Sequence, residues 1–258
     1  MTSLSVVVIT LNEERNISRC LESVRGIADE IVVVDSGSSD TTPQICAHYG
    51  ARFVTHPFEG HIQQKNFALT QCTHDAVLSI DADESLSPEL CVSIARVKNE
   101  WTADGYSMNR LTNYCGTWIR HGGWYPDRKV RMFRKSQGAW TGVNPHDRFA
   151  LTLPSARVVH LSGDLLHYSY YTVSDHLRQV DYFTGITARE MAMQGRSAGV
   201  FRTIVAPPFR FFRDYVIKGG WMDGYHGLVV AAISAHAVFI KYVKLRHITQ
   251  QEHGIHHG

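Results

Sequence analysis

Short apolar runs alternate with amphipathic stretches through the first 100 positions of the chain. Leu4–Thr10 is rich in β-branched residues, which is typical of an interior parallel strand. Similar runs predict strands at Ile31–Val34, Arg52–Thr55 and Ala76–Ile80. Helices are predicted between these strands. The first begins after the cap residue Asn12, and two others cover Thr41–Tyr49 and Ile62–Thr70. A fourth begins after the cap residue Ser87, with Pro88 at its first position. This alternation predicts a parallel sheet covered by helices.

The pattern changes from Trp101 onward. Gly105–Leu111 and Lys129–Phe133 are predicted strands, and Val173–Met193 has helical spacing. Residues 196–247 are basic and aromatic, with eight Lys or Arg, two Asp and nine aromatic residues. The sequence therefore predicts an α/β fold with a helical, basic and aromatic appendage at its C-terminal end.

Composition narrows the class of protein. With 258 residues, of which 44% are hydrophobic, the chain can bury a sizeable core. Its five cysteines are odd in number and contain no CxxC pair, which excludes a disulfide framework and favours the reducing cytoplasm. The start lacks the basic segment of a signal peptide. The apolar run Leu228–Ile240 has 13 residues, and a membrane-spanning helix needs about 20, so no transmembrane pass is expected.

Charge is distributed unevenly along the chain. Residues 1–100 carry 7 Lys or Arg against 14 Asp or Glu, whereas residues 101–258 carry 19 against 10. The acidic part suggests a cation site, and the basic part suggests an anionic partner such as a phosphate, a nucleic acid or a membrane surface.

Polar clusters follow three of the predicted strands, at Thr10–Glu14, Asp35–Ser39 and Asp81–Glu84. The carboxyl ends of the strands are where open α/β sheets bind ligands. Asp81 and Asp83 point to the same side of a strand, so a divalent cation held partly by phosphates would relieve their repulsion. An acidic turn that caps the next helix is the alternative for this cluster. The cluster after Asp35 matches neither a dinucleotide fingerprint nor a P-loop, and a simple turn remains its alternative.

Three motifs in this order and at these spacings carry a family resemblance: Thr10-Leu11-Asn12-Glu13-Glu14, Asp35-Ser36-Gly37-Ser38-Ser39-Asp40-Thr41 and Asp81-Ala82-Asp83-Glu84. Together they resemble the family 2 inverting glycosyltransferases, over residues 4 to about 150. The resemblance implies a GT-A-type mixed sheet that binds a nucleotide sugar and is flanked by helices. The segment from Gly122 to Phe133 is similar to the branch that builds the lipopolysaccharide inner core, whose members resemble a β-1,4-glucosyltransferase acting on heptose.

The resemblance also implies roles for particular residues. A UDP-sugar would be bound by Thr10, Asn12, Glu14, Asp35, Lys65, Asp81, Ala82 and Asp83. A Mg²⁺ or Mn²⁺ ion would be held by Asp83 and His167. Inverting transfer needs a carboxylate base, and Asp147 in Asn144-Pro145-His146-Asp147 is nominated, with Asp127 as its rival. The alternatives are an exposed lysine for Lys65, a packed histidine for His167 and an ion pair with Arg148 for Asp147.

The later, basic part of the chain is assigned to the acceptor and the membrane. Aromatic faces suit a sugar ring and arginine forks suit phosphate, so an anionic glycolipid acceptor would contact Trp124, Tyr125, Asp127, Arg128 and Arg131. The alternative is a solvated basic face with the tryptophan in the core. Phe209, Phe212 and Val216 share one helical face, which favours a peripheral membrane surface. Helix packing, in a possible homo-oligomer, is the alternative.

The predicted organisation is a catalytic domain at 1–170, divided into a nucleotide-sugar half (1–100) and an acceptor half (101–170). A helical region at 171–250 and a flexible tail at 251–258 follow. The predicted activity is metal-dependent transfer of a sugar, expected to be glucose, from a UDP-sugar to the heptose of a lipopolysaccharide core intermediate. Another lipid-linked or surface-polysaccharide acceptor is the near alternative. A nucleotidyltransferase is a less favoured alternative, because the sequence lacks the glycine-rich phosphate loop of that class. A nucleic-acid-binding protein is also less favoured, because that function would leave the acidic clusters unexplained.

Overall fold

The computed structural model describes residues 1–143 and 146–254. Asn144, Pro145 and residues 255–258 lie outside the described residues, as do the side chains of Val143, His146 and residues 252–254. The chain packs into two compact units. The first unit holds Met1–Leu111 and Asp127–Tyr168, and the second unit holds Thr112–Pro126 and the chain from Ser169 onward. The domain boundaries predicted from sequence stay a prediction.

The described residues form eleven strands and seven α-helices. The strands are β1 (Leu4–Thr10), β2 (Glu30–Asp35), β3 (Arg52–Thr55), β4 (Ala76–Asp81), β5 (Glu84–Leu86), β6 (Gly105–Tyr114), β7 (Thr117–Trp118), β8 (Asp127–Arg134), β9 (Gly138–Val143), β10 (His146–Leu151) and β11 (Val158–Tyr170). The helices are α1 (Ile17–Val24), α2 (Thr42–His48), α3 (His61–Gln71), α4 (Pro88–Asn99), α5 (Val173–Met193), α6 (Val200–Phe212) and α7 (Gly224–Gly254).

The main sheet is mixed. Its strand order is β3-β2-β1-β4-β8-β6-β11-β5, and β9 pairs with β10 in a separate hairpin. β1 runs parallel to β2 and β4, with Ile9 opposite both Val34 and Asp81. β8 runs antiparallel to β4 and to β6. Because β1, β2 and β4 end at the same edge, the three polar clusters that follow them meet there.

The core explains why β1 is continuously apolar. Val6 and Val8 pack in one cluster with residues of α1 and α4, whereas Val7 packs in another with Ala68 of α3. A strand buried on both faces has no solvent side, so it carries no polar alternation. The predicted α/β class, with a mixed sheet flanked by helices, is confirmed.

Helix starts test the predicted caps. Ser87 accepts a hydrogen bond from the Leu90 amide at 3.2 Å, as a cap residue should. The prediction that Asn12 caps the first helix is wrong, because α1 begins at Ile17 with Asn16 at its cap position. Asn12 instead has φ 54° and holds a neighbouring loop. The sequence reading failed because a run of five polar residues offers several equivalent starts.

The second unit is mostly helical. α7 packs along both α5 and α6 through Ala188, Ala206, Tyr242 and Leu245. α6 leads into a π-helical turn at Arg213–Ile217 and a short 3-10 helix at Gly220–Asp223. Gly227 makes the close approach of this turn possible, because a Cβ there would lie 1.9 Å from the Gly220 carbonyl oxygen.

α7 is longer than the sequence reading anticipated. It continues to Gly254, into the stretch predicted to be a flexible tail. Among the described residues, one helical stretch, Gly220–Gln251, is long and apolar enough to cross a membrane by length and composition alone. The predicted absence of a transmembrane pass therefore stays a prediction.

Candidate active site

A buried lysine joins two carboxylates that are far apart in sequence. Lys65, on α3, is 3% exposed. Its Nζ lies 3.1 Å from Asp81 Oδ1 and 2.8 Å from Asp147 Oδ2. Its ammonium also lies 4.6 Å from the centre of the Trp140 ring. The nominated base on β10 is thus brought beside the acidic cluster at the end of β4.

A second buried cation holds the other side of Asp81. Arg131, on β8, places Nη2 at 3.1 Å from Asp81 and 2.8 Å from Glu84. Glu84 in turn accepts the Asp81 backbone amide at 2.9 Å. Loss of hydration raises the pKa of Asp81, but the charges of Lys65 and Arg131 outweigh it and hold that pKa below its usual range. Asp81 is therefore a fixed anion.

Asp83 faces a histidine, as the proposed metal site requires. His167 Nε2, on β11, lies 3.1 Å from Asp83 Oδ2. Loss of hydration raises the pKa of Asp83, and the charge and hydrogen bond of His167 outweigh it and lower that pKa. Among the side chains that the structure describes, no group of three or more His, Cys, Asp or Glu could hold a metal. One carboxylate and one imidazole nevertheless fit a Mg²⁺ or Mn²⁺ ion that takes its other ligands from a diphosphate and water.

Side-chain hydrogen bonds connect the loop after β1 to the loop after β2. Asn12 Oδ1 accepts the Ser39 amide at 2.9 Å, and Glu14 Oε2 accepts the Thr41 hydroxyl at 2.8 Å. Asp35 Oδ2 accepts the Gly37 amide at 2.8 Å within its own turn. These three predicted nucleotide-binding side chains therefore shape the loops, and direct contact with a nucleotide stays a prediction.

Two further predicted binding residues sit at the strand ends. The Thr10 hydroxyl is buried and has no hydrogen-bond partner within the described part of the chain. Ala82 is 3% exposed and its amide donates to the Ile9 carbonyl at 3.2 Å, which fixes the turn between Asp81 and Asp83. Nearby, loss of hydration and the charge of Asp83 raise the pKa of Glu13 to about 7.

The predicted acceptor residues of the first unit separate into exposed and internal groups. Arg128 is exposed on β8. Asp127 is held by Arg110 at 2.9 Å and by Lys129 at 3.1 Å. Arg131 is 3% exposed and occupied by Asp81 and Glu84, so it acts as a positioning residue for those carboxylates. This burial argues against the predicted acceptor contact of Arg131.

The other two predicted acceptor residues belong to the second unit. Trp124 stacks on Tyr170 with ring centres 5.3 Å apart and meets Tyr114 edge to face at 5.8 Å. Tyr125 is half-buried and is followed by a cis peptide to Pro126. The structure thus places Trp124 in an aromatic cluster, and contact with an acceptor sugar stays a prediction for both residues.

Sequence reasoning overlooked several residues of this edge. Gln64 is fully buried and donates to the Ser36 hydroxyl at 3.1 Å, and its amide oxygen lies 2.9 Å from His56 Nδ1. The signal was a polar residue on the apolar side of α3. The motif also contains Glu84, for which no role was predicted. Its carboxylate accepts hydrogen bonds from the Asp81 amide and from Arg131.

Comparison with known proteins is consistent with this geometry. The sequence profile described as Glycosyl transferase family 2 matches residues 5–152, more than half of the chain. The chain belongs to glycosyl transferase family 2. The predicted family and glycosyltransferase activity are thereby confirmed.

Three similar proteins illustrate the relationship. An uncharacterised glycosyltransferase of Rickettsia felis is 30% identical over 262 residues, covering 95% of this chain and 90% of that protein. The lipopolysaccharide core biosynthesis glycosyltransferase LpsC of Rhizobium meliloti is 29% identical over 257 residues, covering 94% and 91%. The crystal structure of Mycobacterium tuberculosis glucosyl-3-phosphoglycerate synthase with Mn²⁺, UDP and glucosyl-3-phosphoglycerate is 25% identical, covers 43% of this chain and 44% of that one, and has a TM-score of 0.36.

Proposed function

We propose that this glycosyltransferase moves glucose from UDP-glucose to the heptose of a lipopolysaccharide inner-core intermediate, with inversion and with a divalent metal. The observation that carries the proposal is the shared contact of Asp81 and Asp147 with the Lys65 ammonium. This contact supports the proposal because it brings Asp147, the carboxylate proposed as the base, close to Asp81 of the motif proposed to bind the donor, as single-displacement transfer would need. The similarity to LpsC over 94% of the chain supports the acceptor class.

In the proposed reaction, Asp147 accepts the proton of the acceptor hydroxyl. The hydroxyl oxygen forms a bond to the anomeric carbon while the bond from that carbon to the diphosphate oxygen breaks, and UDP leaves with its electron pair. The Lys65 ammonium, 2.8 Å from Asp147 Oδ2, holds that carboxylate in place before the acceptor binds. Asp127 is less suited as the base, because Arg110 and Lys129 occupy both of its carboxylate oxygens, whereas Lys65 contacts Oδ2 of Asp147.

The leaving group requires charge compensation. Asp83 and His167 would hold the metal, which neutralises charge developing on the diphosphate when it is bound. Asp81, fixed by Lys65 and Arg131, would orient the ribose or the metal from the other side of the Ala82 turn. The buried Thr10 hydroxyl, which lacks a partner in the described structure, would find one in the nucleotide.

Calorimetric titration with UDP, with and without Mn²⁺, tests the donor site. We expect binding by the wild type to tighten at least about tenfold with Mn²⁺, because a cation held by Asp83 and His167 would attract the diphosphate. Asp83→Asn should lose that gain, whereas Glu22→Gln, on the exposed face of α1, should keep it. Equal UDP affinity in Asp83→Asn and the wild type with metal present would contradict the ligand role.

Product analysis then tests the reaction. The enzyme should release UDP, with no pyrophosphate, when given UDP-glucose and a heptose-containing core acceptor. Pyrophosphate release from a nucleoside triphosphate would favour a nucleotidyltransferase instead. Transfer to a different lipid-linked acceptor would leave the family intact and replace the proposed acceptor.

A further inference from the structure

The outer side of α6 and of the turn that follows it is apolar and exposed. Ten apolar side chains between positions 201 and 225 are each between 43% and 78% exposed. They are Phe201, Ile204, Val205, Phe209, Phe212, Val216, Ile217, Trp221, Met222 and Tyr225. We call these ten residues the outer face. Soluble surfaces seldom keep so many large apolar groups together unless a partner covers them.

The opposite side of the same helix is already occupied. Ala206 packs with Tyr242 and Leu245 of α7, and Arg202 Nε donates to the Tyr242 hydroxyl at 3.2 Å. Thr203 is 8% exposed. The α6 part of the outer face is therefore the side of that helix that packing within the second unit leaves uncovered.

The charges of this segment sort by sign. Its two acids turn inward: Asp214 is 2% exposed and is bound by Arg210 and Arg213, and Asp223 accepts from His121 at 2.8 Å. Its exposed charged residues, Arg202 and Lys218, are both cations, and Arg202 also contacts Tyr242 on the packed side of α6. The surface around the outer face is thus cationic, and it complements an anionic layer.

We propose that the outer face binds an anionic lipid bilayer and lies in the plane of its headgroup region. Aromatic and aliphatic side chains would enter the acyl boundary, with Trp221 and Tyr225 at the depth that such rings favour. Lys218 would meet a lipid phosphate. The inference is independent of the transfer reaction proposed above.

Two features favour this occupant and this orientation. A second copy of the chain on the same face would bring identical cations together across a two-fold axis. A span by Gly220–Gln251 would strip α7 of its packing against α5 and α6, and a spanning α6 would carry Arg210, Arg213 and Lys218 into hydrocarbon, which is costly for charged groups. An in-plane position keeps these cations at the phosphate level and buries the outer face alone.

Sedimentation with phosphatidylcholine vesicles, with and without phosphatidylglycerol, provides the test. The wild type should bind the anionic vesicles and bind less at high salt. The variant Phe209→Gln/Ile217→Gln/Trp221→Gln should bind at least about tenfold more weakly. A matched control, Leu177→Gln/Tyr182→Gln/Met193→Gln, removes α5 side chains that are 44%, 62% and 81% exposed in the same unit, and it should bind like the wild type.

Further measurements separate the remaining outcomes. Brominated lipids should quench fluorescence in the wild type more than in Trp221→Phe, and alkaline carbonate should release the vesicle-bound protein. Equal vesicle binding by the two triple variants would overturn the proposal, as would release by detergent alone, which would indicate a spanning segment. The outer face would be assigned to a second copy of the chain if the wild type formed a dimer and did not bind lipid, and if only the outer-face variant lost that dimer. UDP affinity should be unchanged in both variants, so a failed donor site would be recognised separately.

Discussion

The two units of this glycosyltransferase differ in which side chains they bury and which they expose. The first unit buries charge: Lys65, Arg131 and Glu84 are each at most 3% exposed and are all paired. The second unit exposes apolar surface: Phe201 and Tyr225 are 78% and 74% exposed. A buried ion network orients carboxylates at the cost of their hydration. An exposed apolar face contributes nothing to a free monomer in water, so its use must lie in what covers it.

The comparison also separates two uses of arginine. Arg131 in the first unit is internal and spans Asp81 and Glu84. Arg210 and Arg213 in the second unit bind Asp214 while keeping roughly a third of their side chains exposed. The same side chain fixes a site in one case and neutralises an inward acid at a surface in the other.

The largest expected effect concerns Asp147. Asp147→Asn should lower kcat by about 10²–10⁴-fold, because the amide cannot accept the hydroxyl proton. UDP affinity should stay near the wild-type value, as measured by titration. Asp127→Asn is the control and should keep kcat within about tenfold. An active Asp147→Asn beside an inactive Asp127→Asn would reassign the base.

Removing Arg131 should break the buried network. Arg131→Met leaves Glu84 buried without its main cation, so the free energy of unfolding should fall by about 3–5 kcal/mol in urea denaturation. Arg128→Met, on the exposed side of the same strand, should change it by less than about 0.5 kcal/mol. A similar loss of unfolding free energy in the two variants would contradict the prediction that the buried ion pairs of Arg131 stabilise the fold.

The second unit should respond to acid through His176. Burial lowers the pKa of His176 from 6.5 to about 4, so the unfolded chain binds more protons between these values. Stability from this residue is complete above pH 6.5 and is lost as the pH falls towards 4, by at most about 3 kcal/mol. Denaturation of His176→Phe should show a flatter pH dependence than wild type. His236→Phe, which removes an exposed histidine of α7, should not.

The smallest expected effect concerns the glycine contact in the second unit. Gly227→Ala would place a Cβ 1.9 Å from the Gly220 carbonyl oxygen, so the backbone must shift and stability should fall by about 1–3 kcal/mol. Gly26→Ala in the first unit meets nothing within 4 Å and should be close to neutral. Thermal denaturation of the two variants measures the difference. An equal melting temperature for Gly227→Ala and wild type would contradict the tight packing.

Local pattern was sufficient for most elements of the first unit. The runs at Leu4–Thr10 and Arg52–Thr55 are strands with the predicted bounds, and in the second unit Val173–Met193 is a helix with the predicted bounds. β-branched runs and helical spacing are properties of consecutive residues, so they can be read without knowing the partners. The start of α1 could not be predicted in this way, because Asn12 and Asn16 are similar cap residues. Only the tertiary contact of Asn12 with Ser39 distinguishes them.

The sequence by itself determined the fold class, the polar edge and the family, because each depends on short motifs and their order. Tertiary structure decided what the charged side chains touch. Arg131 was expected at the surface and is internal, and Lys65 contacts both Asp81 and Asp147, the latter 82 positions away from it in sequence. The outer face of α6 was visible as an apolar stripe, but packing against α7 decided which side remained exposed. Ion pairs and burial depend on residues distant along the chain, and local periodicity carries no information about them.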